Sequence, residues 1–185
     1  MNFLSIIFIG IGLAMDAFVV CIAKGMGLKK INLKDTINMA LVFGIFQGVM
    51  TLIGYFVGGA FSKIVSKYSP IIVFIIFFVL GTKVLYEAFK GDGDEDEIEK
   101  SINFKDLMGL GFATSIDALA VGVSFGMMNG VSIYSSSLII AIVTFLISLS
   151  GGILGTIMGS KINNKYAEIF GAIILIVMAF VFLFR

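Results

Sequence analysis

The stretch Gly12-Leu-Ala-Met-Asp16-Ala-Phe-Val-Val-Cys-Ile-Ala-Lys24-Gly25-Met26 decides how this chain is read. It sets an aspartate in the middle of an apolar run that begins upstream at Phe3. The pattern returns later as Ala113-Thr-Ser-Ile-Asp117-Ala-Leu-Ala-Val-Gly-Val-Ser-Phe-Gly126-Met127. At a constant offset of 101 the copies share Asp16/Asp117, Ala17/Ala118, Val20/Val121, Gly25/Gly126 and Met26/Met127. A charged group in an apolar run is costly, so two of them in register require a cause.

Composition sets the frame. The 185 residues are 59% hydrophobic and 14% charged, with a mean hydropathy of +1.10. A soluble domain of this size lacks the interior to hide so much apolar side chain. Apolar runs of about 20 residues recur, each long enough to cross the hydrocarbon core as a helix. The first run has no Lys or Arg before it and carries Asp16 inside it, which suits a retained span better than a cleaved signal.

The chain therefore reads as an all-α membrane protein with six spans: Phe3–Ala23, Thr36–Ala60, Pro70–Phe89, Leu107–Met128, Ser136–Met158 and Ala167–Phe184. The acidic segment Gly91-Asp-Gly-Asp-Glu-Asp-Glu-Ile-Glu-Lys100 is the one strongly polar stretch, a solvated linker. It divides the chain into a first three-helix repeat (1–90), a linker (91–105) and a second three-helix repeat (106–185). Its Asp92-x-Asp94-x-Asp96 start imitates a calcium loop. Glu97 and Asn103 then stand where that loop needs glycine and glutamate, so no calcium site is expected.

The offset of 101 persists beyond the opening motif. Ala40 and Val42 map to Ala141 and Val143, and Gly54-x-x-x-Gly58 maps to Gly155-x-x-x-Gly159. Three is odd, so the second repeat enters the membrane from the opposite face. Six helices as two inverted three-helix repeats is the expected arrangement, with a pseudo-two-fold axis in the membrane plane and sites at mid-depth.

Loop charges give the orientation. One side receives Lys24, Lys29, Lys30, Lys34, Lys90, Lys100, Lys105, Lys161 and Lys165; the other receives only Lys63, Lys67 and Arg185. The richer side, with the acidic linker, is expected in the cytoplasm, and both termini outside it.

Asp16 and Asp117 lie near mid-span, where a charged aspartate costs about 2.5–3.5 kcal/mol on insertion scales. A two-fold axis at that depth lets them meet, and a divalent cation between them would cancel both charges. The competing reading is a protonated aspartate bonded to a backbone carbonyl. Gln47 in the second span corresponds to Ser148 in the fifth, and both are candidate ligands. The alternative for that pair is an ordinary interhelical hydrogen bond. Thr114 and Ser115 precede Asp117 and can offer hydroxyl or freed carbonyl oxygens. Such an oxygen set suits hard to borderline ions such as Mn2+, Mg2+ or Ca2+. Lys83 and Glu87, four apart, are expected to pair near the cytoplasmic interface, with a gate or relay as the alternative role.

The same inventory excludes other chemistry. The chain has no histidine and one cysteine, Cys21, so imidazole metal sites, thiolate clusters and intrachain disulfides are ruled out. No basic aromatic patch for nucleic acid is present, and no nucleophile–base set marks an enzyme. The ten methionines form no repeating ladder for copper.

These residues resemble the manganese efflux pump family (MntP), six-span exporters grouped with the LysE-type transporter superfamily. The resemblance rests on Met15-Asp16-Ala17-Phe18 with Lys24-Gly25, Phe43-Gly44 with Gln47, and Ser115-Ile-Asp117-Ala118-x-Ala120-Val121-Gly122. The Lys83/Glu87 end of span three, the acidic linker and Ala167-Glu168-Ile169 with Gly171 also fit. Thr51 departs from it, standing where the family has a proline that would break span two. The resemblance implies a cell-membrane Mn2+ exporter with Asp16 and Asp117 as core acidic residues. Mn2+ is then the transported substrate, and no permanently bound cofactor is expected. The partners are the ion and the lipid bilayer, and a homo-oligomer is left open. Exchange of two protons for one Mn2+ would keep the paired site neutral in both states. The alternatives are a LysE-like exporter of another small cation or amino acid, and a non-transporting membrane assembly factor.

Overall fold

The computed structural model describes residues 3–26, 33–57, 71, 74–83, 85–86, 89, 104–126, 131–160 and 164–184. Among these, all regular structure is helical. The first helix, α1, is Phe3–Met26, and α2 is Leu33–Val57. A shorter apolar helix, α3, covers Phe74–Lys83. Then come α4 (Phe104–Thr114), α5 (Ile116–Gly126), α6 (Ile133–Ser160) and α7 (Asn164–Phe184). Asp35 and Asp106 sit in the first turns of α2 and α4, where a carboxylate complements the helix dipole.

Among the described residues, four stretches are long and apolar enough to cross a membrane: Phe3–Met26, Leu33–Val57, Phe104–Gly126 and Ile133–Gly159. Apolar helix also covers Phe74–Lys83 and Ile169–Val181. The sixth expected span falls within α7, whereas the third is described only from Phe74 to Lys83 and at isolated neighbouring residues. The acidic linker lies outside the described residues.

Polarity in α6 runs opposite to that of a soluble helix. Leu138, Ile142 and Leu146, spaced by four, are each at least half exposed. The stripe Ser136, Ile140, Thr144, Ser148, Gly152 and Thr156, also spaced by four, is buried. Successive residues four apart share one helix face. One face is therefore apolar and outward, as lipid requires, and the other is polar or small and inward. Phe8, Ile45, Phe56, Phe170 and Val181 continue the exposed apolar exterior on the other helices. The protein is an all-helical, multi-pass membrane protein.

Glycines set the helix pairing and its direction. A Cβ on Gly151, Gly155 or Gly159 of α6 would run into Phe18, Ile22 or Met26 of α1, respectively. Residue numbers rise together along this line, so α1 and α6 run parallel. Gly54 of α2 lies against Leu119 and Val123 of α5, while Gly122 and Gly126 lie against Thr51 and Tyr55. Hence α2 and α5 are also parallel. Gly44 meets Ala141 and Phe145, and Gly48 meets Ser137 and Ala141, so α2 and α6 are antiparallel. It follows that α1 and α5 point in opposite directions. Such backbone approach is available only where a side chain is missing, and it replaces the hydrophobic drive that lipid withholds from helix pairing.

Two buried apolar clusters fill the bundle. The first joins Ala17, Val20, Cys21 and Ala23 of α1 with Met39 and Phe43 of α2, Phe77 and Leu80 of α3, Leu107, Leu110 and Ala113 of α4, Ile116 of α5 and Leu175 and Ala179 of α7. The second joins Ile6 and Leu13 of α1 with Met50 of α2, Ala118 and Phe125 of α5 and Ile133 and Ile140 of α6.

The glycine contacts generate a stability prediction. Gly122→Ala forces a methyl into the Thr51 carbonyl, and overpacking of this kind costs about 1–3 kcal/mol. Gly12 has nothing near its absent Cβ, so Gly12→Ala should be neutral or mildly stabilising. Thermal unfolding of the detergent-solubilised variants checks the pair; a Tm for Gly122→Ala equal to that of Gly12→Ala contradicts the packing argument.

Candidate metal site

The boundary between the two apolar clusters marks where the candidate residues fall. On α1 the second cluster ends at Leu13 and the first begins at Ala17, with Asp16 between them. On the opposed chain direction, the first cluster ends at Ile116 and the second begins at Ala118, with Asp117 between them. On α2 the change falls between Phe43 and Met50, which bracket Gln47. On α6 Ile140 belongs to the second cluster, and Thr144 and Ser148 follow it. Asp16, Gln47 and Asp117 thus mark one polar seam, each near the middle of its apolar span. Both aspartates are half-buried, and Gln47 is almost wholly buried.

Hydrogen bonds fix the amide. Gln47 Nε2 donates to the Leu13 carbonyl at 2.8 Å, tying α2 to α1 one turn from Asp16. The nitrogen must face that carbonyl, since an amide oxygen cannot donate. Gln47 Oε1 makes no hydrogen bond, and neither do the buried hydroxyls of Thr144 and Ser148. The interhelical bond expected as the alternative role of Gln47 is thus present for its nitrogen and not for its oxygen. Thr51, where a proline would have broken α2, instead donates to the Gln47 carbonyl at 2.8 Å, and α2 runs unbroken.

The break falls in the fourth span, read from the sequence as the single stretch Leu107–Met128 with Thr114 and Ser115 as sources of hydroxyl or freed carbonyl oxygens. Helix α4 ends at Thr114 and α5 begins at Ile116. The Ser115 N–H reaches the Phe112 carbonyl three residues back at 3.2 Å, and its hydroxyl donates to the same oxygen at 3.0 Å. The Thr114 hydroxyl donates to Leu110 and Gly111 carbonyls at 3.0 and 3.2 Å. These short polar side chains compete with the main-chain ladder at that point. Asp117 consequently lies in the first turn of a new helix, where an N-terminal dipole favours negative charge. The ladder resumes at once, since the Leu119 N–H donates to the Ser115 carbonyl at 3.3 Å.

Lys83 lies apart from the seam. Its ammonium pairs with Asp106 at 2.7 Å, joining α3 to the start of α4. Its expected partner Glu87 is outside the described residues. A pair this exposed contributes at most about 1 kcal/mol. Near the same end of α4, a cleft of about 300 Å³ is lined by Asp35, Asn38, Leu41, Val42, Phe104 and Leu107. Cys21 is buried, with its thiol beside the Ser148 hydroxyl but without hydrogen-bond geometry between them.

The arrangement is rich in oxygen. Among the described residues no three of His, Cys, Asp and Glu converge, so any ion held at the seam takes its ligands beyond the aspartates from neutral oxygens. Gln47, Ser148, Thr114 and Ser115 can supply them. Thr144, buried on the same face of α6 as Ser148, was not singled out from the sequence, although the spacing of four through Ser136, Thr144, Ser148 and Thr156 was legible there.

Replacing Thr114 by Val and Ser115 by Ala together removes the hydroxyl contacts at the break. Hydrogen–deuterium exchange should then slow over residues 112–119 as the ladder closes. Unchanged exchange would assign the break to packing instead of to the hydroxyls.

Comparison with known proteins gives a consistent family. The model of the family described as "Putative manganese efflux pump" matches residues 30–183. A relative of that description, MntP of Mannheimia succiniciproducens, is 42% identical over 176 residues, covering 95% of this chain and 93% of its own. The Clostridium perfringens (strain 13) relative is 40% identical, covering 96% and 92%. That of Methanosarcina acetivorans is 41% identical, covering 95% and 92%. No solved structure matches the chain.

Proposed function

The chain belongs to the manganese efflux pump family, and from that premise we propose that it exports Mn2+ across the cell membrane by alternating access. The observation that carries this reading is the polar seam: Asp16, Gln47 and Asp117 all stand where one apolar cluster gives way to the other. Charge at that depth is costly unless it serves a ligand, and intramembrane carboxylates mark ion pathways.

In this reading Asp16 and Asp117 ligate the ion and neutralise it. Gln47, Ser148, Thr114 and Ser115 add neutral oxygens, which suits a hard divalent cation. The two carboxylates belong to inverted repeats, 1–90 and 106–185, joined by the acidic linker. Three contacts support the repeat. Gly54 meets Val123 and Gly155 meets Ile22, which is one contact repeated at an offset of 101 with the partners exchanged. Gly44 meets Phe145, its own equivalent under the same offset, as residues beside a two-fold axis do. The opposed directions of α1 and α5 also agree with inversion.

Alternating access follows from the constraint that the ion must leave the seam toward one side at a time. The break at Ser115 provides a joint within the span that carries Asp117. The linker and the lysine-rich loops face the cytoplasm and both termini lie outside, so the cleft between α2 and α4 is where the ion arrives. Lys83, paired with Asp106, stands at that cytoplasmic edge, and Lys83 and Glu87 serve as a gate or relay. Two protons replace one Mn2+ on the return step, so the seam carries the same net charge in both directions.

Uptake of 54Mn by everted membrane vesicles tests the proposal directly. Asp16→Ala and Asp117→Ala should each abolish uptake, and collapsing the pH gradient should slow it strongly in the unmodified protein. Normal uptake in either variant removes the site, while indifference to the gradient removes proton exchange alone. A deletion strain should be hypersensitive to Mn2+, which an amino-acid exporter or an assembly factor would not produce.

A further inference from the structure

We propose that Gln47 Oε1, Thr144 Oγ1 and Ser148 Oγ form one carboxylate-free oxygen subsite, which holds a hard divalent cation stripped of part of its water. This rests on the reading that Asp16 and Asp117 hold the ion, and it adds Thr144 and a location to that reading.

The behaviour of the other hydroxyls marks these two out. Thr51, Thr114, Ser124 and Ser136 each bond the carbonyl four residues back, and Ser115, Ser150 and Thr156 bond the one three back. That is the ordinary way for a helical hydroxyl to satisfy itself away from water. Thr144 and Ser148, fully buried in the middle of the same α6 stripe, do not take it. Packing gives their direction. Ile140 and Val143 touch Gly10 of α1, whereas Ala141 and Phe145 touch Gly44 of α2. Thr144 lies angularly between these two sets and points into the wedge between α1 and α2. Ser148 is one turn further, between Gly151, which meets Phe18 of α1, and Gly152, which meets Thr36 and Met39 of α2. Gln47 crosses that same wedge to reach Leu13.

Buried polar atoms without partners are rare in native proteins, and three in one wedge point to a ligand. The amide oxygen can only accept, so it requires a donor or a cation. Its companions are hydroxyls, and no side-chain carboxylate is part of the trio. An octahedral oxygen ion needs about six ligands, and two carboxylates provide at most about four. Neutral oxygens complete that shell without altering the charge balance set by the aspartates.

The test measures Mn2+ binding to the purified, detergent-solubilised protein, from loss of the free-ion signal in electron paramagnetic resonance. Thr144→Val should weaken binding on the order of 10-fold, and Thr144→Ser should restore it. Without Mn2+, the Tm of Thr144→Val should be unchanged or higher, because a buried unbonded hydroxyl has been removed. Ser148→Ala, which needs no new space, should weaken binding likewise and serves if Thr144→Val folds poorly. Unchanged affinity in both variants, with binding lost in Asp16→Asn, overturns the subsite alone and leaves the hydroxyls to buried water. Unchanged binding in Asp16→Asn as well overturns both the subsite and the carboxylate site on which it rests.

Discussion

Backbone lies against backbone along two lines, α1 on α6 and α2 on α5, and the remaining structure depends on that contact. Lipid offers no hydrophobic reason for helices to associate, so close van der Waals approach must supply it. Gly54, Gly122, Gly151 and Gly155 provide the approach because any side chain there would overlap a neighbouring carbonyl or main chain. Once the helices are that close, the residues between the glycines have no room to avoid one another. Ser, Thr and Gln at those positions must then bond their own helix, bond a neighbour or face a ligand.

The interior answers this demand unevenly along its length. Toward each end buried apolar side chains form two separate clusters, with Thr36, Ser136 and Thr156 buried beside them. Asp16, Asp117 and Gln47 interrupt the apolar filling on three helices, each where one cluster gives way to the other. Leu13 and Thr114, equivalent at the offset of 101, meet the interruption differently. Leu13 lies within a continuous helix and its carbonyl accepts the Gln47 amide. Thr114 ends a helix, and its hydroxyl turns back onto α4. Asp117 thereby gains a helix N-terminus that Asp16 lacks, so the two carboxylates hold unlike electrostatic positions. In the exporter reading this assigns the hinge to the second half of the chain.

The helical class, the placement of most spans and the two aspartates were legible in the residues themselves. Apolar length and the repeated Asp-Ala motif are local properties, and the cost of a charge in hydrocarbon makes such a residue stand out. Gln47 and Ser148 were also reachable, because a constant offset pairs them. Thr144 shares the four-residue spacing of Ser136, Ser148 and Thr156 and was open to the same reading; the break was not. Thr114-Ser115 is compatible with an unbroken helix, and Lys83 could pair with Glu87 by spacing alone, whereas the folded chain gives it Asp106.

The sequence by itself determined that this chain is helical and membrane-embedded, with acid within its apolar runs, since hydropathy and periodicity act within one helix. Only the tertiary structure decided which helices run parallel, where the ladder opens and which buried oxygens lack a partner. A hydroxyl on a helix can turn to its own carbonyl or to the neighbouring helix at similar cost. That choice is made by whatever packs against it, and at Thr144 and Ser148 the packing of α1 and α2 made it.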